Sequence, residues 1–245
     1  MIYWRTQDSL KERIAHIARQ LMKKRQPLKK QLRDLLKEKD FEKIVEVATE
    51  RNRALSVLVS LTYNADKQIA WRAVEAMGMA AERIARDDPP YVRDHLRKLY
   101  WLLSEESGGV CWRAPEAMAE IVRRTGDLYS DYVPIVVSLI YEMAEEDLEL
   151  FRASILRAIG LLAQQAGEHG EKVLPLVKNS LLNSEPQVRG MAVWCLGQLG
   201  KGGIFANRPN LLQDDGSVDY YENRSLDRTT VGRLAQQCVK QQPTD

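Results

Sequence analysis

The stretch VRGMAVWCLGQLGKGG at residues 188–203 decides how the rest of the chain is read, because it recurs. IAWRAVEAMGMAAERI (69–84), VCWRAPEAMAEIVRRT (110–125) and FRASILRAIGLLAQQA (151–166) align with it, and the first residues of successive copies stand 41, 41 and 37 apart. In each copy the first, fifth, eighth, ninth and twelfth positions are apolar or small. They are Ile69, Ala73, Ala76, Met77 and Ala80; Val110, Ala114, Ala117, Met118 and Ile121; Phe151, Ile155, Ala158, Ile159 and Leu162; Val188, Ala192, Cys195, Leu196 and Leu199. At about 100° per residue these positions share one face of a helix.

The segments before each copy keep the same spacing. Leu55, Leu96, Val137 and Lys178 are 41 apart, as are Leu58, Leu99, Ile140 and Leu181, so each unit reads as a pair of helices. Pro134 and Pro175 share this period and are expected near the start of their helices, where a missing N–H costs little. Asp66 and Ser184 are candidate N-caps, Gly108–Gly109 and Asn183–Ser184 candidate turns, and the glycines of 197–203 candidate C-caps. The expected fold is an all-α solenoid, a right-handed α-α superhelix of about five to six helix pairs with a 41-residue period.

A unit of this length whose second helix reads Val188-Arg189, Ala192, Cys195, Leu196, Gly197 resembles the HEAT repeat, including the HEAT-like type of phycobilin lyases. Phe151-Arg152, Ala158, Ile159 and Gly160 keep the pattern, as do Ala73, Ala76, Met77 and Gly78. Ala70 and Cys111 stand where the family has Arg, with Arg72 and Arg113 two positions later. The resemblance covers residues 52–201 and implies a scaffold or adaptor. Residues 28–50 look like a degenerate leading pair, which places the solenoid at 28–201. Residues 202–245 are expected to form an irregular loop, with a short extended piece at Val218–Tyr221, followed by a capping helix over Leu226–Gln241 that closes the stack.

Composition sets the frame. With 245 residues, 44% apolar and 29% charged, 14 Gly and 3 Cys, the chain is neither collagenous, nor low-complexity, nor a disulfide-framed mini-domain. Its net charge of +2 conceals a split: residues 1–39 hold 12 Lys or Arg against 4 Asp or Glu, and the remainder is net −6. Residues 1–27 read as a basic amphipathic helix with Leu10, Ile14, Ile17, Ala18, Leu21 and Met22 on one stripe. Lys23, Lys24, Arg25, Lys29 and Lys30 form its basic patch, either a solvated face or a contact for an anionic partner. No secretory h-region and no transmembrane segment is read, and three scattered cysteines suit a cytoplasmic protein with reduced thiols.

The positions opposite the core stripe carry the candidate binding face. Trp71, Glu75, Glu82, Trp112, Glu116, Arg123, Arg157, Gln164, Trp194 and Lys201 are placed there, flanked by Arg72 and Arg113, with a floor of small residues between them. This composition fits either a concave groove that holds a protein partner or a ladder of contacts between units. No catalytic residue, metal site or cofactor is read: His16, His95 and His169 share no column and are taken as surface residues, and no phosphate-loop or nucleophile motif is present. Two alternatives stand beside the scaffold. One is a HEAT-like DNA-binding protein or alkylpurine DNA glycosylase, with Trp71, Trp112, Glu116, Arg123 and Arg157 in its active parts, which the net negative body disfavours. The other is a lyase-like accessory protein for a tetrapyrrole or other cofactor. The sequence carries no signal for oligomeric state.

Overall fold

The structure, a computed structural model, describes residues 27–51, 53–103, 111–145 and 151–241. The basic segment with Lys23, Lys24 and Arg25, the turn Gly108–Gly109, Val110 and His16 lie outside the described residues. Helices come in pairs: α1 Leu28–Glu38 with α2 Phe41–Glu50, α3 Ala54–Leu61 with α4 Lys67–Ile84, and α5 Pro89–Trp101 with α6 Ala114–Thr125. α7 Tyr132–Glu145 with α8 Arg152–Leu161 and α9 Ala163–Asn179 with α10 Pro186–Gln198 follow. A single turn, α11 Pro209–Leu212, leads into strands β1 Ser217–Glu222 and β2 Ser225–Thr230, and α12 Val231–Lys240 ends the described chain.

The even-numbered helices pack each on the next in one inner row from α2 to α12, and each odd helix from α1 to α9 lies behind its own partner. The fold is an all-α solenoid with one hairpin among the described residues. Its core is the repeated stripe: every stripe position described is buried except Leu199, which is half-buried. Behind it, Leu55, Leu96 and Val137 are buried but Lys178 is exposed.

The unit that holds Lys178 also departs from the others by a kink in α9. Gly167 adopts φ +45 inside the helix, after which the backbone turns directly helical instead of making the short 3-10 turn found at Gly126–Tyr129 in the preceding unit. Pro175 consequently sits in the interior of α9, not near its start, whereas Pro134 keeps its place in the first turn of α7. Asp66 caps α4 by accepting from the Gln68 amide, but Glu185, not Ser184, occupies the cap of α10, because Pro186 begins that helix. Helix α10 ends as its glycines suggest: Gly200 has φ +71, its N–H donates to the Gly197 carbonyl, and the Lys201 N–H donates to that of Leu196.

Two features of the C-terminal part differ from expectation. The closing helix begins at Val231, five residues late, because Leu226–Thr230 belong to β2 and the Thr230 hydroxyl accepts from the Arg233 amide as N-cap. The hairpin itself does not lie over the end of the stack. It pairs antiparallel from Ser217↔Thr230 to Glu222↔Ser225 and crosses the inner row from α12 and α10 to α4.

Small residues on the inner helices make room for the next layer. A Cβ on Gly160 would stand 2.4 Å from the Trp194 ring, and one on Gly190 would stand 2.5 Å from Val218. Gly160→Val is therefore expected to lower the unfolding free energy by about 1–3 kcal/mol through overpacking, measured by urea denaturation; an unchanged midpoint would show that Trp194 can retreat without cost.

Candidate functional site

The hairpin is held by side chains of the inner helices that read its main chain. Gln187, in the first turn of α10, donates from Nε2 to the Asp219 carbonyl at 3.0 Å and accepts the Asp219 N–H at Oε1 at 2.8 Å. Gln68, in the first turn of α4, does the same to Leu226 at 3.3 and 3.2 Å. Each amide side chain thus acts as a neighbouring strand would, satisfying the outward backbone groups of one edge. Arg157 Nη2 donates to the Tyr221 carbonyl at 2.6 Å and Arg72 Nε to that of Arg224 at 3.0 Å. Arg72 also donates from Nη1 to the Leu36 and Lys37 carbonyls at the end of α1, so a single guanidinium ties the first helix to the hairpin tip.

Side chains of β1 alternate between two walls, as the pleat requires. Val218 and Tyr220 meet α10, at Gly190 and Trp194 respectively. Asp219 and Tyr221 meet α4: Lys67 Nζ lies 2.7 Å from Asp219, and Tyr221 stacks on Trp71 at 5.5 Å while its hydroxyl donates to Glu75 at 2.7 Å. Burial and the Glu75 carboxylate push the Tyr221 phenol well above its ordinary range, and burial pushes Tyr220 up to about 12, so both rings stay neutral.

Arg157 stands at the centre of this arrangement, 7% exposed. Its guanidinium carbon lies 4.9 Å from the Trp71 ring, 4.9 Å from Trp194 and 5.7 Å from Tyr220. Nε and Nη1 have no hydrogen-bond partner among the described residues, so the ring faces supply what hydrogen bonds do not. Burial pulls its pKa down, opposed chiefly by Glu116. Glu116 is itself 2% exposed, accepts from the Ser154 hydroxyl, and lies 3.8 Å from Arg113, whose guanidinium covers the other side of Trp71 at 3.9 Å. Burial holds the Glu116 carboxyl above the usual carboxylate range despite these partners.

Two open troughs flank the hairpin, and Arg157 walls both. The larger, about 580 Å³, brings together Glu75, Arg123, Arg157, Gln164 and Trp194 with Glu120, Arg124 and the tip residues Glu222 and Asn223. The smaller, about 390 Å³, gathers Trp71, Trp112, Arg113, Glu116 and Arg157 with Lys67, Gln187 and Asp219. Nearly all the residues expected on the binding face therefore meet, in two groups instead of one row. Arg72 lies beneath the hairpin tip. Glu82 and Lys201 line neither trough: Glu82, in the last turn of α4, faces Arg86 just beyond the helix, and Lys201, beyond the end of α10, pairs with Glu171 at 2.8 Å. Gln164 lies in the first turn of α9, because α8 stops at Leu161. Lys29 and Lys30 are exposed on α1, away from both troughs.

The face expected to lack a core to fill is in fact largely covered, because the chain's own hairpin lies on it. Trp71 is 6% exposed and Trp112 51%, although they occupy the same repeat position. Pro115 explains the difference: it forces the second copy to start its helix at Ala114, leaving Trp112 in the preceding turn, stacked on Phe151 at 5.1 Å. His95 is not a surface residue. It is buried against Tyr91, its ring nitrogen 3.2 Å from the Ser56 hydroxyl, and burial lowers its pKa. Gln68 and Gln187 escaped notice, yet each stands immediately before the first position of its repeat copy, and that shared column was the available signal.

Cys111, Cys195 and Cys238 are free and buried, and among the described residues no group of three His, Cys, Asp or Glu could hold a metal ion. No helix among the described residues is long and apolar enough to cross a membrane.

Trp71→Ala is expected to cost about 3–5 kcal/mol and Trp112→Ala less than about 1 kcal/mol in unfolding free energy; equal losses would mean that the hairpin does not seal Trp71. Glu116 gives a pH signature. Its carboxyl binds a proton more tightly in the folded chain than in the unfolded one, so stability falls as pH rises from the unfolded-chain carboxylate range through the raised folded value. Urea midpoints for Glu116→Gln between about pH 4 and about pH 8 should lack that decline; a profile matching the unmodified chain would assign the effect elsewhere.

No protein-family model matches the chain. An uncharacterized protein of Archaeoglobus fulgidus is 28% identical over 109 residues, 44% of this chain and 54% of that protein, so the chain spans about half the length of the curated relative it matches. Among solved structures, an engineered protein from the Northeast Structural Genomics Consortium aligns over 88% of this chain and 96% of its own at 18% identity, with a TM-score of 0.46. Computationally designed armadillo repeat proteins for modular peptide recognition align over 87% of this chain and 99% of theirs, also at 18% identity, with a TM-score of 0.42.

Proposed function

We propose that the chain is a non-enzymatic repeat scaffold of HEAT-like type that holds a protein partner in the larger trough beside the hairpin. The observation that carries this reading is the convergence there of exposed amide and guanidinium groups, Gln164, Gln198 and Arg123, on the open side of a floor already packed by Trp194 and Tyr220. Such donors and acceptors suit the backbone and polar side chains of a protein segment. The carboxylates of the trough are committed: Glu120 to Arg123 and Arg124 at 2.7 and 3.1 Å, Glu75 to the Tyr221 hydroxyl, and Glu222 to the Tyr220 hydroxyl at 3.2 Å. Groups so engaged are poor general bases, which favours binding over catalysis.

The glycosylase alternative loses ground at Glu116, whose carboxylate is 2% exposed and bonded to the Ser154 hydroxyl instead of facing a duplex. Three buried free thiols are in keeping with a cytoplasmic setting. Affinity purification from the native cells, comparing the unmodified chain with an Arg123→Glu, Gln164→Ala variant, tests the proposal. At least one protein retained by the first should fall roughly tenfold with the second, at unchanged melting temperature. Retention of the same proteins by both would overturn it.

A further inference from the structure

The clasp on the hairpin has the make-up of a ligand-binding site. Gln68 and Gln187 engage main-chain N–H and C=O groups and no side chain of the strands, and Arg72 and Arg157 take further carbonyls. These contacts suit any β-hairpin of suitable length, because they read peptide groups, Gln187 on one strand and Gln68 on the other. Selectivity comes from two adjacent aromatic rings: Tyr220 against Trp194 and Tyr221 stacked on Trp71 with its hydroxyl on Glu75. Carboxylates flank the pair, Asp219 at Lys67 and Glu222 beyond the second ring.

The occupant depends on the site more than the site depends on it. A two-stranded hairpin is marginal on its own in water. Its tip is also unfavourable: Asn223 and Arg224 both adopt positive φ, 50 and 63, which suits the tight turn but not an Arg side chain. Arg224 is kept there by the Arg72 contact to its carbonyl and by Phe41, whose ring lies 4.4 Å from its guanidinium. The base, by contrast, is fixed: Arg189 holds Asp214 through two hydrogen bonds of 2.8 and 3.1 Å, and β2 runs directly into α12. The tip is therefore the part that can be lifted.

We infer that the hairpin is a built-in ligand occupying a main-chain-reading site, exchangeable for a β-hairpin of a protein partner that carries two adjacent aromatic residues flanked by carboxylates. This rests on the scaffold reading and names the segment such a partner would bring. Binding of that segment and closure by the hairpin are mutually exclusive, so the partner's affinity is set by how readily the tip leaves.

A fluorescent peptide of residues 215–230, followed by anisotropy against the full chain, tests the inference. A Tyr221→Ala chain, whose own hairpin has lost its stack on Trp71 and its bond to Glu75, should bind the peptide roughly tenfold more tightly than the unmodified chain. Adding Gln68→Ala and Gln187→Ala should abolish that gain, and a peptide with both tyrosines replaced by alanine should not bind. Equal affinity for the unmodified and Tyr221→Ala chains, or binding indifferent to the two glutamines, overturns the exchange. Should Tyr221→Ala fail to fold, hydrogen exchange of the unmodified chain decides: excess peptide should speed exchange at the Asp219 and Leu226 amides, and unchanged rates overturn the inference. Failure here with Arg123-dependent capture intact removes the exchange and leaves the scaffold, whereas loss of that capture alone removes the scaffold.

Discussion

A buried guanidinium organises the inner face. Arg157 is nearly sealed from solvent, with one short hydrogen bond to the Tyr221 carbonyl and aromatic rings in place of further acceptors. A charge in that position is tolerable only while its surroundings are complete. Trp71 comes from α4, Trp194 from α10, Tyr220 and Tyr221 from the hairpin, and Glu116 from α6 adds the nearest opposing charge. Four separate parts of the chain therefore have to arrive together to make Arg157 acceptable. The hairpin takes its place across the row because it supplies both a carbonyl and a ring, and the two troughs exist because it is narrower than the face it covers.

The solenoid was readable in the primary structure because its cause is local and repeated. A stripe of small and apolar residues at a helical period, recurring about every 41 positions, allows one kind of packing, and the buried stripe follows it closely. Boundaries were less legible where a single residue overrides the repeat. Pro115 delays α6 and leaves Trp112 outside it, and Gly167 kinks α9 and leaves Pro175 in its interior. Both residues were visible, but the alignment of copies averaged over them.

The site was legible as a set of residues and not as an arrangement. Projection on a helix sets Trp71, Glu75, Glu116, Arg157 and Trp194 away from the repeated stripe, and all five line the troughs. It could not bring out what covers them. The extended character of Val218–Tyr221 follows from local composition, but its destination is fixed by partners such as Lys67, 152 residues before Asp219, and Glu75, 146 residues before Tyr221. No periodicity encodes a contact of that kind. The glutamines are a middle case, since their shared column repeats but only in the first and last of the four copies, the two that the hairpin bridges.

That bridging changes how the stack must unfold. In an open solenoid each unit touches only its neighbours, stability is close to a sum over units, and an end can fray while the middle persists. Here Arg72 joins α1 to the hairpin tip, Gln68 joins α4 to β2, and Gln187 joins α10 to β1. The linear array is thereby closed into a ring of contacts, and neither end can melt without releasing the other. Such an array gains cooperativity across its units and takes on slow, non-local steps in assembly, because the hairpin joins helices that lie about 150 residues before it.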